Sequence, residues 1–150
     1  MHIEIHGRRD ADAPTLVFSS GLGGAAHFWM PQLDALTSDY RVVLYDQLGT
    51  GKSPTTLPAD YSIDAMASEL RTLLASHGIG DYHLIGHALG GLVGLALAIQ
   101  QAPGLRSLTL MNAWSRVSPH TARCFSVRKQ LLAGSGPAAY VEAQALFLYP

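Results

Sequence analysis

The chain has 150 residues, 10 Lys and Arg against 11 Asp and Glu, a formal net charge of -1, 48% hydrophobic residues and 14% charged ones. Soluble domains ordinarily carry about 25% charged residues, so this apolar and nearly neutral chain is neither disordered nor a basic nucleic-acid binder. A single cysteine, Cys124, excludes a disulfide framework and a multi-cysteine zinc site.

The N-terminus, MHIEIHGRRD, has no apolar core of the kind a signal peptide needs. The longest apolar run, Leu89 to Ile99, is shorter than the about 20 residues that span a bilayer and reads as a buried helix. The expected compartment is cytoplasmic, with no membrane partner.

In chain order, His2 to His6 alternates and predicts an edge strand. Leu16-Val17-Phe18 is a short buried strand that stops at Ser19-Ser20-Gly21. A helix is expected near Trp29, with Trp29, Leu33 and Leu36 on one face. Arg41 to Tyr45 is a second buried strand, ended by Asp46, and a turn-rich segment runs to Asp60. Ser62 has the place of an N-cap. Ile63, Met66, Ala67, Leu70, Leu73 and Leu74 follow at helical spacing, and Gly78 stops the helix. Tyr82 to Ile85 is a strand, Gly86 to Gly90 a tight turn into the apolar helix, and Leu105 to Met111 a further strand. Buried strands alternating with helices predict an α/β fold, with a mostly parallel sheet covered on both faces. After Asn112 the pattern changes. Ser118-Pro119 caps a helix that breaks at Gly134 to Pro137, and a second helix covers Ala138 to Leu148. Two helices without a strand between them predict a cap, so residues 1–112 are expected as core and 113–150 as the start of a lid.

Four motifs compete for the chemistry. Gly21-Leu22-Gly23-Gly24-Ala25-Ala26 fits the dinucleotide pattern G-x-G-x-x-A, and Asp46 ends the next strand where a ribose-binding acid would lie. The same glycines suit a loop that aims a backbone N–H at an oxyanion. Gly49-Thr50-Gly51-Lys52-Ser53 ends like a phosphate loop, but Asp46 stands where that loop needs its first Gly, so a pocket-shaping turn is favoured. Gly86-His87-Ala88-Leu89-Gly90 has the shape of the nucleophile elbow G-x-S-x-G, with Ala88 where the hydroxyl should be. Alanine cannot form an acyl-enzyme. His87 is a candidate for contact with a substrate, against the favoured reading of a packed histidine. His2, His6, His27, His77, His83 and His120 lack partners at metal-ligand spacing, so no metal site and no cofactor is expected.

The order of these motifs resembles the N-terminal part of the α/β-hydrolase superfamily, from Leu16 to Pro150. That resemblance implies that Gly21 and Gly23 belong to an oxyanion loop, with the backbone N–H groups of Leu22 and Leu89 directed into one hole. It also implies that a triad acid and histidine lie beyond residue 150, so neither is assigned here. The superfamily often carries His where this chain has Ser20, and Arg where it has Leu48.

A narrower resemblance is to the RutD-type hydrolases of bacterial pyrimidine degradation, which are similar in having Ala at the elbow. It rests on Tyr45-Asp46-Gln47, Gly49-Thr50-Gly51, Asp60 to Ile63, the elbow itself, His120-Thr121, Arg123-Cys124-Phe125, Val127-Arg128, Val141 to Gln144 and Leu146 to Pro150. It implies hydrolysis of aminoacrylate or carbamate with release of ammonia, without a covalent intermediate at Ala88. The alternatives are an inactive hydrolase-fold binding protein and a dinucleotide-binding module. The partner expected is a small-molecule substrate. The 14% charge predicts apolar faces left for further chain to cover, and hence aggregation or a homodimer for the 150 residues alone.

Overall fold

A computed structural model describes residues 1–148. In chain order it contains β1 (Ile3–Gly7), β2 (Thr15–Ser19), a 3-10 helix (Ala26–Gln32), α1 (Leu33–Leu36), β3 (Arg41–Tyr45), α2 (Ile63–Ser76), β4 (Tyr82–His87), α3 (Leu89–Ile99), β5 (Leu105–Met111) and α4 (Pro119–Leu148). The chain divides into two compact units, Met1–Trp114 and a second that begins at Ser115. Tyr149 and Pro150, which end the last string of the narrower resemblance, lie outside the described residues.

Five strands form one sheet in the order β1-β3-β2-β4-β5. β2 pairs in parallel with both β3 and β4, and β4 with β5. β1 runs antiparallel to β3, with Ile5 opposite Val43. The link from Arg8 to Pro14 is shorter than the about a dozen residues a parallel crossover requires, so the first strand can only join the sheet in the opposite sense.

Period-two alternation sends neighbouring residues of β2 and β3 to opposite faces. Val17 and Val43 pack with Leu70 and Leu74 of α2 and Val93 and Leu97 of α3. Phe18, Val42 and Leu44 pack with Trp29 and Leu33 on the other side. This explains why β3 reads as an uninterrupted apolar run: both of its faces are covered. The expected covering is incomplete at β5, where Leu105 and Leu108 pack against the core but the end of the strand does not. That strand has a neighbour on one side only, and Leu110 and Met111 remain exposed.

The helix termini follow their sequence signals. Ser62 Oγ accepts from the Ala65 N–H at 3.2 Å, and Gly78 ends the α2 region at φ +67°. Ser118 Oγ accepts from the Thr121 N–H at 3.1 Å, and α4 is broken at Gly136, with φ 82° and ψ -178°. The helix expected around Trp29 is different. It is a 3-10 helix that runs into the single turn of α1, with Pro31 inside it. The proline ring crowds the carbonyl four residues back and supplies no N–H, so an α-helical ladder is interrupted there while Trp29 and Leu33 stay buried. Among the described residues no helix is long and apolar enough to cross a membrane.

On β1, Glu4 is held by three donors. His2 Nε2 lies 2.8 Å from its carboxylate, and His6 Nε2 and Lys52 Nζ each 3.2 Å. The bond to His2 is the largest cause, followed by that to Lys52, and together they hold the Glu4 carboxyl down at about 2 from the ordinary 4.5. The folded value is depressed, so its stabilisation is present above about 4.5 and is lost as pH falls from there toward 2. Glu4→Gln is expected to lower stability at pH 7 by about 1 kcal/mol. Urea midpoints of the two proteins, measured from pH 7 to pH 2, should draw together below about pH 4.5; a gap that stays undiminished at pH 2 contradicts this account.

Candidate active site

β4 and α3 meet at one residue. The strand continues through His87 and the helix begins at Leu89, so the turn predicted over five residues is concentrated in Ala88, at φ 48° and ψ -112°. A non-glycine residue there stores about 1–3 kcal/mol of backbone strain. The surroundings hold it in place. Ala88 N–H donates to the Met111 carbonyl at 2.9 Å, and the Ala88 carbonyl accepts from the Gly91 N–H at 3.0 Å. A β-carbon at Gly86 would lie 2.5 Å from the Gly90 carbonyl oxygen, and one at Gly90 would collide with the carbonyl of Ser19. Only residues without side chains let strand and helix pass this closely.

Leu89 is the first residue of α3, where an N–H has no intrahelical acceptor and the helix dipole is positive. Among the described residues neither its N–H nor that of Leu22 has an acceptor. A cavity of about 420 Å³ is lined by both residues, together with Gly23, Leu57, Tyr61 and Met66. Gly21 lies over the elbow: a β-carbon built on it would be 3.1 Å from His87 Nδ1 and 3.4 Å from Ala88 Cβ. Gly23, at φ +75°, has open space where a side chain would be. The His87 ring stacks on Phe28, with ring centres 5.2 Å apart and planes at 22°. Phe28 in turn meets Trp29 edge-on. The structure thus gathers Gly21, Leu22, Gly23, His87, Ala88 and Leu89 around the end of β4.

Asp46 is tied to the Gly-rich loop, but not as a ribose acid. It is 3% exposed. Its carboxylate accepts from the Ala26 N–H and from the Lys52 N–H, each at 2.7 Å. The carboxylate is buried and committed to these two backbone donors, so a dinucleotide ribose has no accessible acid to bind, and the dinucleotide-binding alternative is withdrawn. The same carboxylate sits inside the Gly49–Ser53 turn, where a β-carbon on Gly51 would collide with it. A negative charge in the cradle is incompatible with a phosphate.

Gln47 adds a second tie, donating from Nε2 to the Ser20 carbonyl at 3.0 Å. Ser19 Oγ and the Tyr45 hydroxyl share a bond of 2.7 Å, and burial pushes the Tyr45 phenol up to about 12. Gln47 reads only as part of a family-like string, and Phe28 not at all, so neither is expected from sequence to frame the site. A signal did exist for Asp46: an acid that ends a buried strand just before a glycine turn has backbone N–H groups within reach.

The sequence pattern of the α/β-hydrolase fold matches residues 14–139. The chain belongs to the α/β-hydrolase fold family. Relatives whose provisional name is carbamate hydrolase RutD include one from Stutzerimonas stutzeri, 66% identical over the whole chain and 57% of its own length. One from Escherichia coli is 53% identical over 93% of this chain and 52% of its own. The chain therefore spans little more than half the length of these curated relatives. Among solved structures, the enol-lactonase from Burkholderia xenovorans LB400 superimposes with a TM-score of 0.82 at 30% identity, covering 95% of this chain and 54% of that one.

Within the α/β-hydrolase fold the elbow carries the attacking side chain. Here Ala88 offers a methyl group, and Leu22 and Leu89 line the same cavity. At this position the chain supplies no hydroxyl or thiol.

Proposed function

We propose that this chain forms the oxyanion loop and elbow of a cytoplasmic hydrolase of small carbon–nitrogen substrates, aminoacrylate or carbamate, in pyrimidine breakdown. The carrying observation is Ala88 in strained elbow geometry beside the unpaired N–H groups of Leu22 and Leu89. Aminoacrylate tautomerises to an imine, and water adds to an imine without a covalent enzyme intermediate. The adduct loses its hydroxyl proton to the nitrogen, ammonia leaves and a carbonyl remains, with backbone donors stabilising the oxyanion formed before the C–N bond breaks. Such substrates decompose unaided, so a few kcal/mol of assistance is enough, each about 1.36 kcal/mol giving a tenfold rate. The names of the relatives support the reading.

The test is ammonia release from aminoacrylate generated in situ, with the chain and with a full-length relative, against the spontaneous rate. Release above background supports hydrolysis; saturable binding without release makes the chain a non-catalytic member of the family. Ala88→Ser probes the role of the missing hydroxyl. The substitution is expected to leave ammonia release unchanged, or lower it by crowding the substrate, while ordinary ester cleavage appears. A large rise in ammonia release on Ala88→Ser contradicts water attack at an open elbow.

A further inference from the structure

The unit that begins at Ser115 carries a second unexplained arrangement, in which a cation is buried without an acid. Arg128 is 9% exposed. Its guanidinium carbon lies 4.9 Å from the Phe125 ring centre and 5.2 Å from that of Tyr140. Nη2 donates to the Tyr140 hydroxyl at 2.7 Å. Nε is buried and has no partner among the described residues, and no carboxylate among them forms an ion pair with Arg128. A buried charge without a counter-charge is expensive, and aromatic contacts recover only about 2 kcal/mol of that cost. An unpartnered buried group in a folded protein calls for a missing ion, water or ligand.

Three further features point to an anion. From Ser115 to Leu148 the cations are Arg116, Arg123, Arg128 and Lys129, and the only acid is Glu142, so the local balance is positive. Guanidinium is a planar fork whose edge matches a carboxylate. Rings lying near its carbon restrict an approaching anion to that edge, where Nε–H is unused. Gln144 lies one helical turn after Tyr140 on the same face, and its buried side-chain oxygen also has no partner. It is an acceptor within about 6 Å along the helix of the residue that anchors Arg128. A carboxylate paired with a nearby N–H would satisfy both orphaned groups.

We propose that this helical unit contains a binding subsite for a small carboxylate, with Arg128 as its anion anchor and Gln144 as acceptor for an adjacent N–H. The subsite is independent of the reaction at Ala88, because binding is measured without turnover.

Acrylate is the probe, and acrylamide its neutral counterpart of nearly the same shape. The measurement is a titration of the intact chain followed by the ¹⁵Nε–¹Hε resonance of Arg128, with calorimetry on the same samples. Acrylate should shift that resonance saturably while acrylamide and chloride leave it in place. Arg128→Met should weaken acrylate binding at least about tenfold, and Arg128→Lys, which keeps the charge but loses the fork, by an intermediate factor. Equal binding of acrylate and acrylamide, or an Arg128 resonance indifferent to acrylate, overturns the proposal. The wild-type titration decides the matter even if Arg128→Met fails to fold.

Discussion

Gly90→Ala is expected to destabilise the strand-and-helix unit strongly. The methyl group would collide with the main-chain carbonyl of Ser19, and that carbonyl has nowhere to go. Ser19 ends β2, which is hydrogen-bonded on both sides, to β3 and to β4, with Ser19 in register with Gly86. Gly90 has little room to shift, because there is no space for even a β-carbon at Gly86 or Gly91 beside it. Overpacking against backbone on both sides costs about 3 kcal/mol or more, a large share of the about 5–15 kcal/mol that holds a domain together. Gly134→Ala is the matched control: it lies in α4 with open space where a β-carbon would be, so the same change is expected to be neutral or to stabilise by up to about 1 kcal/mol. Urea unfolding followed by circular dichroism measures both. A Gly90→Ala protein with the wild-type midpoint would show that the elbow is not close-packed.

The elbow was legible because its requirements are local. Gly86 and Gly90 flank the turn within one short segment, and nothing but close approach of strand and helix demands small residues at both positions. The buried strands were legible for a similar reason, since Val42, Val43 and Leu44 record two covered faces in consecutive residues. Features that depend on distant partners were not. Asp46 reaches Ala26 across 20 residues of sequence, and the spacing that makes this bond is the one that imitates a ribose-binding acid. Arg128 could be read only as a polar residue on a helix, because Tyr140 meets it across the break at Gly136. The segment around Trp29 departs from its apolar spacing at Pro31, whose ring crowds the carbonyl an α-helix would place beside it. The exposure of Leu110 and Met111 follows from the position of β5 in the sheet order, which strand patterning does not encode.

The second large effect is expected at Asp46. Asp46→Ala leaves the Ala26 N–H and the Lys52 N–H without their acceptor, one of them fully buried. Each orphaned donor costs about 1–3 kcal/mol, so the chain should lose about 3 kcal/mol in total. The damage should be localised. Ala26 opens the 3-10 helix directly after the Gly-rich loop, and Lys52 lies in the glycine turn, so both walls next to the cavity loosen together. Amide hydrogen exchange at Ala26 and Lys52 should accelerate well before exchange in β3. Asp46→Asn separates charge from shape: it retains one acceptor oxygen but turns an NH₂ toward a backbone donor, so it should recover only part of the loss. Gly51 tests the same strut from the other side. A β-carbon there would displace the carboxylate, so Gly51→Ala should reproduce the Asp46→Ala pattern of exchange. Because both substitutions break one set of bonds, the double variant should be clearly more stable than the sum of the two single effects implies. Additive losses would mean that Gly51 matters for its backbone conformation alone, and that the carboxylate does not depend on it.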